Sequence, residues 1–574
     1  MPYNLPVLFT ESAECQDCYK CLRQCPVKAI QVQDGHAAIV HQRCIGCGTC
    51  VEACPAGSKR IRNDIERAKL LIRRKEKVFV SLAPSFRAEF PDTAPGAIIG
   101  AVKALGVCGV SETAIGAQEV SAATADFLAS CGPGPWFSSA CPTAVDLVKK
   151  YYPDYADRVT NILSPAQVHA RLLRKWYGED IGVIFVGPCI AKKREADAFP
   201  QLIDLALTFD EFRELLAGEG IEFDDEKAHE QYAFEPQAAR EGALYPVDGG
   251  MIAGLKAHCG VVDTHYMAFS GIKTIRRVME DLHRLEDGKP VFIELLACEG
   301  GCVNGPCASK RGGTVFKRFE VIRQVENHVR PTLTKPTVDV AGQRSIEPVV
   351  FNTYSEEQIR NALRKVGKNN PEEELNCGGC GYDTCRHFAL ALLDGKSEAS
   401  MCAGYMRKLA YKKANALLRT MPGGVVIVNE NLEIVESNRR FAEILGSEMA
   451  GVYDNKPGLE GAMLEKIVPF ASFFRSVVEG GVDMIDKDIR LKDKVLRLSV
   501  FPIEPKRLVG GIIQDITEPV FQKERIVQKA RDVIEKNLQT VQKIAYLLGE
   551  NAADSEVILN SIIQSFPTQT VEGE

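Results

Sequence analysis

Three apolar runs stand out along the chain: "VFVSLAPS" at Val78–Ser85, "IGVIFVGPC" at Ile181–Cys189 and "VFIELLACEGGC" at Val291–Cys302. Runs of this length, rich in Val, Ile and Phe, predict strands of a parallel sheet buried on both faces. Each ends in a loop carrying polar or sulfur groups. A fourth loop, "FSSACPTAV" at Phe137–Val145, leads into an apparent helix, "TAVDLVKKYY". Open α/β sheets bind ligands beyond the carboxyl ends of their strands, so the four loops are candidates to converge on one site. Downstream, "LLRTMPGGVVIVNENLEIVESNRRFAEILG" reads as helix, strand, tight polar turn, strand and helix, with later strands at "KDKVLRLSVFPIE" and "LVGGIIQDIT". The stretch from about 518 to 566 is charged and helical in composition. There Val527, Arg531, Ile534, Leu538, Val541, Ala545 and Leu548 keep a 4,3 spacing broken by Arg531. That spacing predicts a homodimeric coiled coil, with a single amphipathic helix packed on its own domain as the alternative.

A chain of 574 residues with 45% hydrophobic and 25% charged content is an ordinary globular composition, long enough for several domains. No apolar run is long enough to span a bilayer, and "MPYNLPVLFTESAEC" lacks the basic and apolar regions of a secretory signal, so a soluble, cytoplasmic protein without a membrane partner is expected. A net charge of -6 gives no footprint for nucleic acid, and "RRKEK" at Arg73–Lys77 reads as the solvated face of a helix.

The 20 cysteines change the picture. The cytosol keeps thiols reduced, so metal is a better reason for them than disulfides. "CQDCYKCLRQCP" and "CIGCGTCVEACP" are two copies of C-x2-C-x2-C-x3-C-P, the pattern of a bacterial two-cluster ferredoxin. In that pattern the fourth cysteine crosses over. Cys15, Cys18, Cys21 and Cys54 then hold one [4Fe-4S] cluster, and Cys44, Cys47, Cys50 and Cys25 the other, zinc being the weaker alternative. A third group, Cys377, Cys380, Cys385 and Cys402, is spaced C-x2-C-x4-C-x16-C. Four thiolates suit zinc or a cluster. The group resembles the small four-cysteine iron-sulfur module of redox proteins, Gly381 and Tyr382 included, which implies a further [4Fe-4S] cluster. His387 reads as a surface histidine, and Cys108, Cys131 and Cys259 as packing residues.

In order along the chain, "SSACP", "GPCIAKKRE" and "ELLACEGGCVNG" resemble the three signature motifs of [FeFe]-hydrogenases. The resemblance implies that Cys141, Cys189, Cys298 and Cys302 hold the [4Fe-4S] part of an H-cluster. It implies too that Cys302 bridges to a diiron azadithiolate unit with CO and cyanide ligands. Lys192 is then the donor to the distal cyanide, with Glu195 pairing it, and Pro84 and Ser85 contact the other cyanide. The chemistry implied is H2 ⇌ 2H+ + 2e-, with H2 and protons as the small partners. The sequence departs from the family at several points. Ala140 stands where a relay cysteine is usual, and a methyl group cannot carry a proton. Ala123 falls near the position of a relay glutamate, Gly187 and Leu296 stand where methionine is usual, and "NGPC" at Asn304–Cys307 replaces a glycine-rich end. Cys307 is either a substitute proton donor or an inert thiol.

The region from about 411 to 515 resembles a PAS domain, with Asn438, Phe441 and a terminal Asp515–Thr517. It has no histidine or cysteine to hold haem or a cysteinyl flavin, which favours a protein-protein relay. No histidine follows His387, so the tail is not a phosphoaccepting helix. The expected architecture is multidomain α/β and α+β. It comprises a ferredoxin domain over 1–75, an H-cluster domain over 76–350, a four-cysteine module over 351–410, a PAS domain over 411–517 and a signalling helix over 518–574. That order resembles the sensory [FeFe]-hydrogenases. The resemblance implies a homodimeric H2 or redox sensor of low turnover that signals to a partner such as a kinase or phosphatase. The alternatives are a working hydrogenase coupled to soluble ferredoxin, and a Narf-like scaffold without the diiron unit.

Overall fold

The computed structural model describes residues 6–224, 232–258, 264–285, 288–325, 335–342, 345–480, 484–491 and 494–517, with 529–531, 533–537 and 561 beyond them. Almost all of the coil expected over 518–566, and Cys259, lie outside the described residues. The chain forms two compact units: Met1–Ile359 with Asn376–Ser397, and Arg360–Leu375 with Glu398–Glu574. The segment expected to form the four-cysteine module is divided between them.

The first unit opens with two antiparallel pairs, Leu8–Thr10 with Lys59–Ile61 and Ile30–Gln33 with His36–Ile39. Two short helices, Lys20–Gln24 and Thr49–Ala53, repeat within this frame, each entered through a left-handed residue, Tyr19 and Gly48. This internal repeat mirrors the two cysteine runs.

The three apolar runs do form buried parallel strands, but in two sheets instead of one. Val78–Leu82 and Gly182–Gly187 are the centre of a four-stranded parallel sheet, flanked by Gly109–Glu112 and Leu205–Thr208. Pro290–Leu296 is the centre of a second, three-stranded parallel sheet, between His265–Ser270 and Gly134–Phe137. All five residues of Val78–Leu82 and all six of Gly182–Gly187 are buried, as strands covered on both faces require. Ile45, from the second cysteine run, packs in the same core as Phe137, Leu147 and Ile293. The ferredoxin repeat is thus built into the core of the second sheet.

The second unit holds the region expected to be a PAS domain, a five-stranded antiparallel sheet ordered Ile434–Ser437, Gly424–Asn429, Leu508–Asp515, Lys494–Glu504, Ile485–Leu491. Both hairpins and the intervening helix Arg439–Leu445 fall where the apolar pattern puts them. Asn438 is the knot of this unit. Its carboxamide accepts from the N–H of Val425 (2.8 Å) and Phe441 (2.9 Å) and donates to the carbonyls of Leu418 (2.8 Å) and Gly423 (2.9 Å). All four hydrogen-bonding positions of a buried carboxamide are filled. Leu418 lies in the last turn of the helix Ala403–Thr420, for which Cys402 is the N-cap. Among the described residues no helix is long and apolar enough to cross a membrane.

Candidate active site

The carboxyl ends of strands from both sheets meet at one cavity of the first unit, with an empty volume of about 920 Å3 counting its mouth. Val78–Leu82 delivers Pro84 and Ser85, and Gly134–Phe137 delivers Ala140 and Cys141. Gly182–Gly187 delivers Cys189, and Pro290–Leu296 delivers Leu296, Cys298 and Cys302. Ser138 holds the two loops of the second sheet in register, its Oγ accepting from the Leu295 N–H at 3.0 Å. Cys141 is the N-cap of the helix Pro142–Tyr151, with proline at its first position, where a missing N–H costs nothing.

Burial pushes all four thiols up, Cys189 to about 11, and neighbouring sulfurs add to the shift at Cys189, Cys298 and Cys302. Four desolvated thiols sharing one cavity become thiolates only opposite concentrated positive charge, which is the donor set of an iron-sulfur cluster.

Lys192 enters the cavity from the helix Ala191–Ala198. Its ammonium donates to Ser164 Oγ at 2.8 Å and to Glu195 Oε2 at 2.5 Å, so two of its three N–H groups are engaged by these partners. Ser85 is buried at 2% exposure, and its Oγ has no hydrogen-bond partner among the described residues. A buried, unpaired hydroxyl is costly unless a bound group completes it. A third lysine N–H and an idle serine hydroxyl, both lining an otherwise mostly apolar cavity, suit a cofactor carrying hydrogen-bond-accepting diatomic ligands. The residues fit the H-cluster.

The departures from the family pattern also have a physical reading. A Cβ on Gly187 would stand 2.8 Å from both Ala83 Cβ and the Phe185 ring, so those two residues fill the space a side chain at 187 would need. Leu296 lines the cavity, as does Ala140. Ala123 is buried in the helix Ala114–Leu128 and does not line it. Cys307 is buried, its N–H bonded to Pro188 O at 3.1 Å, and it too is outside the cavity lining, which favours the inert thiol. Cys108 is exposed, just before the edge strand Gly109–Glu112, and is not a packing residue.

One cavity group went unread in the sequence: Glu294, a glutamate inside the apolar run "VFIELLAC". One of its oxygens accepts from Ile252 N–H at 3.2 Å, the other has no partner among the described residues, and burial pushes the carboxyl up to about 7. A charged residue in an otherwise apolar strand was the available signal.

In the ferredoxin repeat, Cys25 lies among the sulfurs of the second run. Burial pushes its thiol up to about 12, with Cys47 and Cys44 adding to it, while Cys21 feels Cys18 and Cys15. Cys50 feels Cys47, Cys44 and Cys25. Cys54 lies 3.3 Å from Ser58 Oγ. Cys47 is also near enough to Cys298 to raise that thiol. Of the third group, Cys380 and Cys385 are buried and Cys377 exposed in the first unit, while Cys402 is buried in the second. Lys28, three residues after Cys25, donates to Gly381 O at 2.8 Å, and a Cβ on Gly381 would stand 2.8 Å from Leu22 Cγ. The module's first loop therefore lies against the ferredoxin repeat. His387 is exposed, as expected.

Residues 76–306 match the family described as iron only hydrogenase large subunit, C-terminal domain. Over those residues the chain is similar to the [FeFe]-hydrogenases. Residues 8–55 match the 4Fe-4S dicluster domain, and residues 373–403 match the Fe-S cluster family FeS. Iron hydrogenase 1 of Clostridium pasteurianum is 24% identical over 307 residues, 44% of this chain and 53% of that protein. The NADP-reducing hydrogenase subunit HndD of Solidesulfovibrio fructosivorans is 25% identical over 325 residues, 46% of this chain and 55% of that one. The chain thus spans about half the length of these relatives. The PAS domain of an HTR-like protein from Haloarcula marismortui is 17% identical, covering 19% of this chain and 94% of that one with a TM-score of 0.15.

Proposed function

We propose that the chain is an H2 or redox sensor built on an [FeFe]-hydrogenase centre of low turnover. When bound, the H-cluster supplies reversible heterolytic cleavage, H2 ⇌ 2H+ + 2e-. The chain's own residues do the rest. Cys141, Cys189, Cys298 and Cys302 would hold the cubane part of the cluster, and Lys192 and Ser85 would donate hydrogen bonds to its cyanides. Cys47, beside Cys298, starts the electron path into the two ferredoxin clusters. From there the contact of Gly381 with Leu22 leads towards Cys380 and Cys385, the buried cysteines of the third group in the same unit. Ala140 lines the cavity without a group that can carry a proton, which keeps turnover low while still letting H2 set the redox state.

The observation that carries the sensory reading is the helix Ala403–Thr420. Its N-cap is Cys402, a residue expected to bind a cluster, and its last turn is bonded to the PAS-like sheet through Asn438. An 18-residue helix is a rigid element, so a change in the geometry at Cys402 reaches the sheet as a displacement. The output would pass through the PAS-like domain and the C-terminal coil of a dimer to a partner enzyme. Glu294 favours a second reading, a working hydrogenase coupled to soluble ferredoxin, because a cavity carboxyl with a pKa near neutrality is suited to proton transfer.

The test is cluster reduction under H2, followed by electron paramagnetic resonance, beside turnover with an added ferredoxin. A sensor reduces its own clusters fully while turnover stays low; fast turnover with ferredoxin overturns the sensory reading. Truncation after Thr517 should leave reduction intact and weaken dimerisation.

A further inference from the structure

Lys192 and its neighbour Lys193 leave the helix Ala191–Ala198 about 100° apart. Lys193 points away from the cavity into a buried ion cluster. Its ammonium is fully buried, and all three of its protons are taken: by Arg62 O (2.9 Å), Asp64 Oδ2 (2.8 Å) and Glu211 Oε1 (2.6 Å). Asp64, also fully buried, pairs with Arg62 (3.0 Å) and Arg67 (2.8 Å). Arg62 reaches back to Asp197 at 2.8 Å, one turn along the same helix from Lys193. Glu211 is fixed in its turn, accepting the N–H groups of Asp64 and Thr208, each at 2.7 Å.

The two-turn helix therefore has two working faces. Positions 192 and 195 serve the cavity, while 193 and 197 are clamped by Arg62 and Asp64, which follow the last ferredoxin strand, Lys59–Ile61. Three cations face three anions, so the cluster is neutral. Burying such groups costs desolvation that their mutual attraction barely offsets, and an apolar set of equal volume would be about as stable. What the ions add over apolar packing is direction, because each bond fixes an angle.

We propose that Lys193 is a positioning residue for Lys192. Asp64 and Glu211 hold it so that the segment leaving the ferredoxin domain sets the rotation of the helix, and with it the aim of the remaining Lys192 N–H into the cavity. The ferredoxin domain is then part of the scaffold of the diiron pocket as well as its electron acceptor. This inference rests on the hydrogenase reading above.

The experiment compares full-length, anaerobically matured wild type with Lys193→Met, Glu211→Gln, Lys192→Met and the Lys192→Met/Lys193→Met pair. The readouts are the infrared cyanide stretches and the thermal unfolding midpoint. The expected result is a shifted or split cyanide stretch in Lys193→Met that adds nothing in the Lys192→Met background, since neighbouring effects through one group are not additive. A Lys193→Met protein with a lowered midpoint and unchanged cyanide stretches overturns the inference. Should Lys193→Met fail to fold, Glu211→Gln decides: a shift supports the inference and unchanged stretches overturn it. Absence of cyanide stretches in wild type itself overturns the hydrogenase reading, and this inference with it. Normal wild-type stretches with unaffected variants overturn the inference alone.

Discussion

Gly48 lies against Ile190: a Cβ on Gly48 would stand 2.6 Å from Ile190 Cδ1 and 2.7 Å from Pro306 Cβ. Gly48 belongs to the second cysteine run, Ile190 follows Cys189, and Pro306 lies four residues after Cys302. Its φ of +81° independently favours glycine. The absence of a side chain is what lets the loop of the second cysteine run press onto two loops of the cavity. Gly48→Ala is expected to push these loops apart and to slow electron transfer between Cys47 and Cys298. Stopped-flow reduction of the ferredoxin clusters by H2 should show at least a tenfold loss of rate at equal iron content.

Ala140 shares the cavity with Cys141 and Glu294. Ala140→Cys should raise H2 oxidation with an artificial acceptor, by roughly 10²- to 10⁴-fold if the missing thiol is the whole limit. A smaller gain is expected if the route beyond it is also broken, as Ala123 in its buried helix suggests. An assembled variant with no gain would move the limit to the pocket around Gly187, Phe185 and Leu296.

Glu294 is the carboxyl among the described residues lining that cavity. With its carboxyl pushed up to about 7 by burial, it changes protonation in the neutral range. The pH profile of H2 oxidation should then show an inflection near neutrality in wild type and none in Glu294→Gln. Identical profiles would remove Glu294 from proton transfer.

Glu112 gives a pH signature in stability instead. Burial raises its carboxyl from 4.5 to about 7; the Ala239 N–H and Arg87 only partly oppose this. The folded state therefore holds more protons than the unfolded state between those values, and stability falls as pH rises through that window, by about 3 kcal/mol at most. Glu112→Gln should flatten that decline. Denaturant unfolding between about pH 4.5 and 7, the window set by this shift, measures the difference.

The site was legible in sequence where chemistry is written locally. Cysteine spacing, the apolar runs and the Asn438–Phe441 pair each reflect contacts within a few residues or a fixed periodicity. The pairing of Pro290–Leu296 with Gly134–Phe137, which puts the third run in a separate sheet, is set by tertiary packing and leaves no local trace. Gly109–Glu112 and Gly134–Phe137 are too short to carry a period. Lys193 could not be singled out because its partners Asp64 and Glu211 lie 129 and 18 residues away. Glu294 stands in the sequence as a charge inside an apolar strand, beside cysteines whose spacing carries the stronger signal.

Asn438 tests the route from cluster to sheet. Asn438→Ala removes four hydrogen bonds, two of them to Leu418 and Gly423 carbonyls, and should destabilise the second unit by roughly 2–4 kcal/mol. Hydrogen exchange in Gly424–Asn429 should respond to H2 in wild type and lose that response in the variant. A response that survives would sever the helix from the signalling route.

On the proposed function, this cavity carries a diiron unit oriented by Lys192 and Ser85. Infrared spectroscopy of the anaerobically matured full chain tests it most directly. The expected spectrum has CO and cyanide stretches, with the cyanide stretches altered in Lys192→Met and Ser85→Ala. A matured protein with full cubane content and no CO or cyanide stretches would contradict the claim and leave a scaffold of iron-sulfur clusters in its place.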